Sequence, residues 1–442
     1  MKMISKLKPK VGVCAFCSPM EVGAGRASAS QISLSALLKK TGCEILELGV
    51  IDTPDKAASA GRRMAAEGVD AIAVACASWL EDYLALDMLE EYRVPILLWP
   101  LPGMESGALC GTQQLTCYLK QLGVASETVF GELRDRDCLD KAMKFLRAAS
   151  LFFRLRRARI GLAGQRVRGM TEVAVNEIAL KTVLGPRVVP VDIVGLLKSA
   201  DTVDKNSAKM EWNAIRKKAG KCRVSDDAGI KAALILIAMR EVVNHERLSA
   251  LAFGCYPDFM GYACLAASVL ADEGIPVGCE GDVNTVVAQL ILSLLTGQPT
   301  HNTDWLDPMS DGSVVFTHCG SGSYSLAENM RTIELAPVRL VNQGVCSLFP
   351  ARTGDVTLVS MMPGITGYQM AVMKGKALKT KMVFPGNPLR VKFSSHAKDI
   401  IQWIHNNGIG HHWAAGYGHV ADEIRYLSII AGNGLKLLKL EK

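Results

Sequence analysis

The sequence predicts an α/β protein. Two doubly wound parallel-sheet domains are followed by a β-rich, antiparallel or barrel-like C-terminal domain with a helical tail. Three observations carry that expectation. Before residue 297, short apolar runs alternate with helix-period segments in two successive series, the pattern of parallel strands covered by helices on both faces. Beyond Pro299, apolar runs follow one another with only turn residues between them, as antiparallel strands do. At 442 residues the chain exceeds one ordinary domain and can build two or three cores.

The first domain is expected over 1–156. Its strands are read at "KVGVCAF", "CEILELGV", "DAIAVACA" and "VPILLWP", with helices over stretches such as 31–40 and 56–67. Within "VCAFC", Cys14 and Cys17 have redox-motif spacing, but alternation along a buried strand explains them better. "GAGRAS" offers Gly23 and Gly25 to a dinucleotide loop. Ser28 stands where the third glycine or alanine would be and no clean acidic partner follows, so no dinucleotide is expected. "RLRRAR", residues 154 to 159, reads as a solvated segment between domains.

The second domain, 157–297, has its strands at "ARIGLAGQ", "RVVPVDI", "LSALAFGC" and "GIPVGCEG". The third, 298–442, carries "GSVVFTHCG", "LAPVRLV", "GDVTLVSMM", "KTKMVFPG" and "PLRVKF" as strands. A helical tail from about 396 to 438 is broken by the glycine-rich "NNGIGHHWAAGYGH". No repeat of solenoid period is present.

Composition excludes several classes of function. The net charge of +7 is spread without a block of like charge, so neither nucleic acid nor a membrane surface is an expected partner. Thirteen cysteines, an odd number without framework spacing, together with an N-terminus too weakly apolar for a signal peptide, point to a reducing cytoplasm. The longest apolar run lies within 286–295, far below the roughly 20 residues a spanning helix needs.

The chemistry is expected in "GCEGDVNTVVAQLILSLLTGQPTHNTDW". Glu280 follows a strand and so lies outside the carboxyl end of a parallel sheet, where ligands bind. Val283, Val286, Val287, Leu290, Ile291 and Leu294 share one helical face, and Gly297 and Pro299 end that helix. The returning chain then delivers Asp304 to the same edge. Two carboxylates there suit a hard divalent cation, which relieves their repulsion, and a third ligand is wanted. His301, His318, His411, His412 and His419 are all candidates, and spacing does not choose among them. Asp282 is expected to cap the helix starting at 283. His301, His318, Cys319 and Cys279 have no spacing typical of a structural zinc site.

"CEGDVNTVVAQLILSLLTGQPTHNTDW" and "GIGHHWAAGYGHVADEIRYLSIIAG", about 50 residues together, resemble the metal-site segments of the L-fucose isomerase family, whose wider group includes the L-arabinose isomerases. The resemblance implies manganese held by Glu280, Asp304 and His412. It also implies a homo-oligomer, trimer or hexamer, whose active sites are shared between subunits. The family's domain order matches the one above, although this chain is shorter and its substrate loops do not match.

The expected function is therefore a metal-dependent aldose–ketose isomerase acting on an open-chain sugar through a cis-enediol, with Glu280 and Asp304 as both ligands and proton carriers. Arg26, Trp79, Arg166, Arg168 and Tyr256 lie in strand-end loops and are candidate sugar contacts. The arginines allow an anionic sugar, such as a sulfonated hexose, beside a neutral deoxysugar. The alternatives are a noncatalytic sugar sensor, or an epimerase or aldolase using the same enediolate.

Overall fold

The run Lys10–Phe16 (β1) is buried at every position after the first, as a strand covered on both faces must be. The computed structural model describes residues 7–440. There β1 pairs in parallel with β2 (Glu44–Ile51) and β3 (Ala71–Cys76), and β4 (Ile96–Pro100) and β5 (Ser126–Thr128) complete the sheet in the order β2-β1-β3-β4-β5. This is a doubly wound order, with its switch point between β1 and β3. Helices Ala27–Lys40 and Pro54–Glu67 form over the stretches the sequence marks. The second is started by Thr53, whose hydroxyl accepts from Lys56 N–H, and by Pro54 in its first turn.

"RLRRAR" falls at the boundary between two compact units, as expected of a segment between domains, but it is not a loop. The helix Arg136–Arg156 runs through its first three residues, and the next strand begins at Arg159. Leu155 is fully buried between exposed arginines, so one apolar side chain anchors a segment whose charge alone suggests a loop.

Two compact units account for the described residues. One comprises Leu7–Arg154 and Asp422–Asn433; the other comprises Leu155–Ala421 and the chain from Gly434 onward. In the first, Tyr426 packs edge-on against Phe145 at 5.5 Å and Glu423 pairs with Arg147 at 2.7 Å.

The other unit begins with β6 (Arg159–Ala163), β7 (Arg187–Val191), the two-residue β8 (Lys221–Cys222), β9 (Ala250–Phe253) and β10 (Val277–Gly278). Four of these form a second parallel sheet, β10-β9-β6-β7, with its own switch point between β6 and β9. Downstream come β11 (His301–Pro308), β12 (Val314–Thr317), β13 (Glu334–Val338), β14 (Gln343–Leu348), β15 (Gly354–Pro363), β16 (Tyr368–Leu378), β17 (Leu389–Lys392), β18 (His412–Tyr417) and β19 (Leu435–Lys439). Seven of them run in the order β15-β18-β11-β12-β17-β16-β19, and a β15–β16 pairing closes six into a ring with β19 parallel outside. β14, β13 and β8 make a small side sheet.

Three expectations for this half are corrected. The tail is not simply helical, because β18 and β19 lie on either side of the helix Ala421–Ala431. Ala414, Ala415 and Gly416 give β18 little strand propensity, but the position suits them: a Cβ at Gly416 would meet Leu292 Cβ at 3.1 Å. "THNTDW" is no simple return; it is most of β11. "KTKMVFPG" forms no strand, its backbone turning tightly where Val383 N–H donates to Lys381 C=O and Gly386 N–H to Phe384 C=O.

The helix Val283–Thr296 is buried nearly all round rather than on one face, with only Leu294 partly exposed. It touches β6, β9 and β10 of the parallel sheet and β11, β15 and β18 of the ring, and so packs between them. Truncating Ile291 or Leu292 there to alanine should cost about 2–5 kcal/mol. Among the described residues no helix is long and apolar enough to cross a membrane.

Candidate active site

At the carboxyl edge of the second parallel sheet, three loops meet backbone to backbone. A Cβ on Gly254 would lie 2.4 Å from Gln165 O, and one on Gly281 would lie 2.7 Å from the same atom. Glycine at both positions lets the loops after β6, β9 and β10 close together. Glu280 C=O accepts from Val167 N–H at 3.3 Å, and Gly281 N–H donates to Phe253 C=O at 3.1 Å. Held in this way, Glu280 takes φ 63°, a left-handed conformation that costs a non-glycine residue on the order of 1 kcal/mol.

The ring supplies the facing residues. Asp304 on β11 stands directly opposite His412 on β18, so the two side chains share a face. On its other flank Asp304 pairs with Thr317, the last residue of β12, and His318 follows at once.

These residues converge on one imidazole. His412 Nε2 lies 3.0 Å from Glu280 Oε2 and 3.5 Å from Asp304 Oδ1, while Nδ1 lies 2.9 Å from Asp282 Oδ2. Asp282 caps its helix as expected, Oδ1 accepting from Thr285 N–H at 3.0 Å, and it also orients the histidine. His318 Nε2 faces both acids, 3.9 Å from Glu280 Oε2 and 4.0 Å from Asp304 Oδ2. Burial opposes charge on His412, but hydrogen bonds to Asp282 and Glu280 prevail and raise its pKa to about 9. Burial likewise opposes the Glu280 carboxylate, yet His318 and His412 hold it well below the usual carboxylate range.

This donor set fits a hard or borderline divalent cation. Glu280, His318 and His412 bring ligand atoms within 4.8 Å of one another, as do Asp304, His411 and His412. Asp304 Oδ1 is buried with no hydrogen-bond partner among the described residues, an orphaned acceptor facing the nitrogen that Glu280 also faces. A metal-binding histidine commonly gives its other N–H to a carboxylate, as His412 does to Asp282.

The structure thus brings Glu280, Asp304 and His412 together. Arg166, Arg168 and Tyr256 lie on the loops after β6 and β9. Arg166 Nη1 donates to Val167 and Met170 carbonyls, whereas Arg168 and Tyr256 are exposed. Arg26 and Trp79 belong to the first unit, on loops after β1 and β3. Arg26 donates to the carbonyls of Ala77, Leu101 and Pro102 and to Ser106 Oγ, tying strand-end loops together. His301 points elsewhere, into a fully buried position where neither ring nitrogen has a hydrogen-bond partner among the described residues. Sequence reasoning did not foresee the place of His318 or the second role of Asp282, because both depend on the pairing of β11 with β12 and β18.

Comparison with known proteins gives the class: the chain is an enzyme, an isomerase acting as an intramolecular oxidoreductase. The proteins it is similar to are sulfoquinovose isomerases. It is 25% identical over 373 residues to that of Priestia megaterium, covering 80% of this chain and 82% of the relative. With that of Alkalicoccus urumqiensis it shares 25% over 349 residues, 76% of this chain and 79% of the relative. With that of Clostridium sp. strain MSTE9 it shares 24% over 370 residues, 78% and 80%. No family model matches the chain. An enzyme of this class is neither a noncatalytic sensor nor an aldolase.

Proposed function

We propose that the protein is a metal-dependent aldose–ketose isomerase whose substrate is an open-chain sulfonated hexose of the sulfoquinovose type. The observation that carries the reading is the clamped His412 imidazole, with Asp282 on Nδ1 and the carboxylates of Glu280 and Asp304 before Nε2. The relatives' names supply the sulfonated sugar.

Glu280, Asp304 and His412 would hold the cation, manganese by the family resemblance, and once bound it would stabilise the negative charge developing on the sugar's C1 and C2 oxygens. The two carboxylates flank the C1–C2 bond. One takes the proton from C2 and returns it to C1, and the other moves a proton between the two oxygens. His412, fixed by Asp282, keeps the acids at a set spacing. The arginines at 166 and 168 are the proposed sulfonate partners, and Tyr256 is a proposed sugar contact.

A trimer or hexamer is part of the same proposal. Arg26 and Trp79 then reach a sugar through a neighbouring subunit. The exposure of Met20, Val22 and Met104 on strand-end loops of the same unit supports a covered surface there.

The test is ketose formation from sulfoquinovose and from a matched neutral 6-deoxyhexose, run in deuterated water after chelation and manganese readdition. The expected results are loss on chelation, recovery with manganese, preference for the sulfonate and deuterium at C1 of the ketose. Glu280→Gln and Asp304→Asn should each lower turnover by about 10²–10³. Full activity in metal-free enzyme would reject the site, and faster turnover of the neutral sugar would reject the substrate.

A further inference from the structure

Behind Glu280 lies a second donor cluster of different chemistry. Cys279, His318 and Cys319 place a thiol sulfur, a ring nitrogen and a second thiol sulfur within 4.8 Å of one another. His318 Nδ1 is 3.3 Å from Cys319 Sγ, and Cys279 Sγ is 3.5 Å from Ser321 Oγ. Two more thiols border the group: Cys279 raises the pKa of the Cys255 thiol, and Cys264 that of Cys319. Cys279 and His318 are buried. His318 therefore faces two ways: Nε2 toward the carboxylates of Glu280 and Asp304, Nδ1 toward sulfur.

We infer that Cys279, Cys319 and His318 Nδ1 form a second metal site, selective for a thiophilic cation such as zinc or cadmium, and that its occupation weakens binding of the hard cation next door. Two sulfurs and one imidazole match soft or borderline ions, as carboxylates match hard ones. Zinc bond lengths imply ligand separations of roughly 3.3–3.8 Å in a tetrahedron, so the cluster needs only slight contraction, with Cys255, Cys264 or a water as fourth ligand. Two thiolates neutralise the cation, and their protons leave to solvent.

Coupling between the sites follows from covalent and spatial adjacency. Cys279 directly precedes Glu280, whose left-handed turn is fixed by its neighbours, and pulling the sulfur toward a metal shifts that carboxylate. A cation on Nδ1 also leaves Nε2 as an N–H donor facing the acids. This coupling rests on the reading of the carboxylate site given above; the thiol site itself does not.

The probe is cadmium, titrated into reduced full-length protein carrying Cys110→Ser and Cys117→Ser, which removes two exposed thiols. The ultraviolet thiolate-to-cadmium charge-transfer band reports sulfur ligation, and carboxylate binding does not produce it. The expected result is a band saturating near one equivalent and lost on adding Cys319→Ser. X-ray absorption of the cadmium-loaded protein with no cysteine changed should show sulfur together with nitrogen neighbours, a reading that needs no variant to fold. An unchanged band in Cys319→Ser, or a shell of oxygen and nitrogen alone, would overturn the site. The apparent manganese affinity should fall about tenfold or more with cadmium bound, and an unchanged affinity would refute the coupling. Should the sugar screen fail while the charge-transfer band persists, the isomerase substrate is wrong and the thiol site stands.

Discussion

Replacing Asp282 separates its two duties. Its Oδ1 caps the Val283–Thr296 helix through Thr285 N–H at 3.0 Å, and its Oδ2 takes His412 Nδ1–H at 2.9 Å in a setting where both side chains are buried. Asparagine caps a helix about as well as aspartate, so Asp282→Asn should keep the cap and forfeit only the small dipole benefit of a charge, about 0.3–1 kcal/mol. What it removes is the carboxylate that makes His412 a strong ligand. Loss of such a partner typically weakens metal affinity 10- to 100-fold, or about 1.4–2.8 kcal/mol. Asp282→Ala removes both contacts and also the hydrogen bond that Oδ2 accepts from Thr285 Oγ1. It adds about 1 kcal/mol for the cap and roughly 1–3 kcal/mol for a buried N–H left unsatisfied. Manganese titration calorimetry against a competing chelator reads the first effect, and urea unfolding of the metal-free protein reads the second. Manganese binding by Asp282→Asn within twofold of the unaltered protein, or unfolding of the alanine variant at the same urea concentration, would refute the two roles of Asp282.

Two further outcomes test the frame around the site. Gly281→Ala would put a methyl group 2.7 Å from Gln165 O at φ 70°, so the left-handed strain of about 1–2 kcal/mol adds to a forced separation of two backbones. Lower stability in urea and weaker manganese binding are expected, and a variant matching the parent in both would contradict the tight packing. His301 is fully buried, and burial first, then Arg352, lowers its pKa from 6.5 to about 3. Above pH 6.5 folded and unfolded chains both carry it neutral; below that the unfolded chain alone takes up the proton, and stability falls until pH approaches 3. The loss at pH 5 is about 2 kcal/mol. Urea midpoints of the parent and His301→Gln should diverge between pH 7 and 5, and parallel curves would remove His301 as the cause.

The parallel strands were legible because burial on both faces leaves an unbroken apolar run in sequence, as in Val11–Phe16 and Ala71–Cys76. The cap at Asp282, the helix stop at Gly297 and the acid at a strand end were legible for a related reason, since each rests on chemistry within a few residues. β18 was not legible. Its alanines and glycine say little about strand, and only the helix pressed against Gly416 explains them. The same holds for the all-round burial of Val283–Thr296, whose Asn284 looks like a solvent position until Val173 C=O and Tyr368 Oη are found around it.

At the site, sequence alone determined that Glu280 is an acid at a strand end and that Asp304 follows the helix after it, and the family resemblance, not spacing, singled out His412. Tertiary structure decided the rest. The register of β11 against β18 sets Asp304 across from His412, the turn at Glu280 aims its carboxylate at the same nitrogen, and β12 ends so that His318 stands between acids and thiols. Such convergence comes from strand pairing between segments about a hundred residues apart. Pairing of that range is set by how whole surfaces pack, and no local stretch of sequence encodes it.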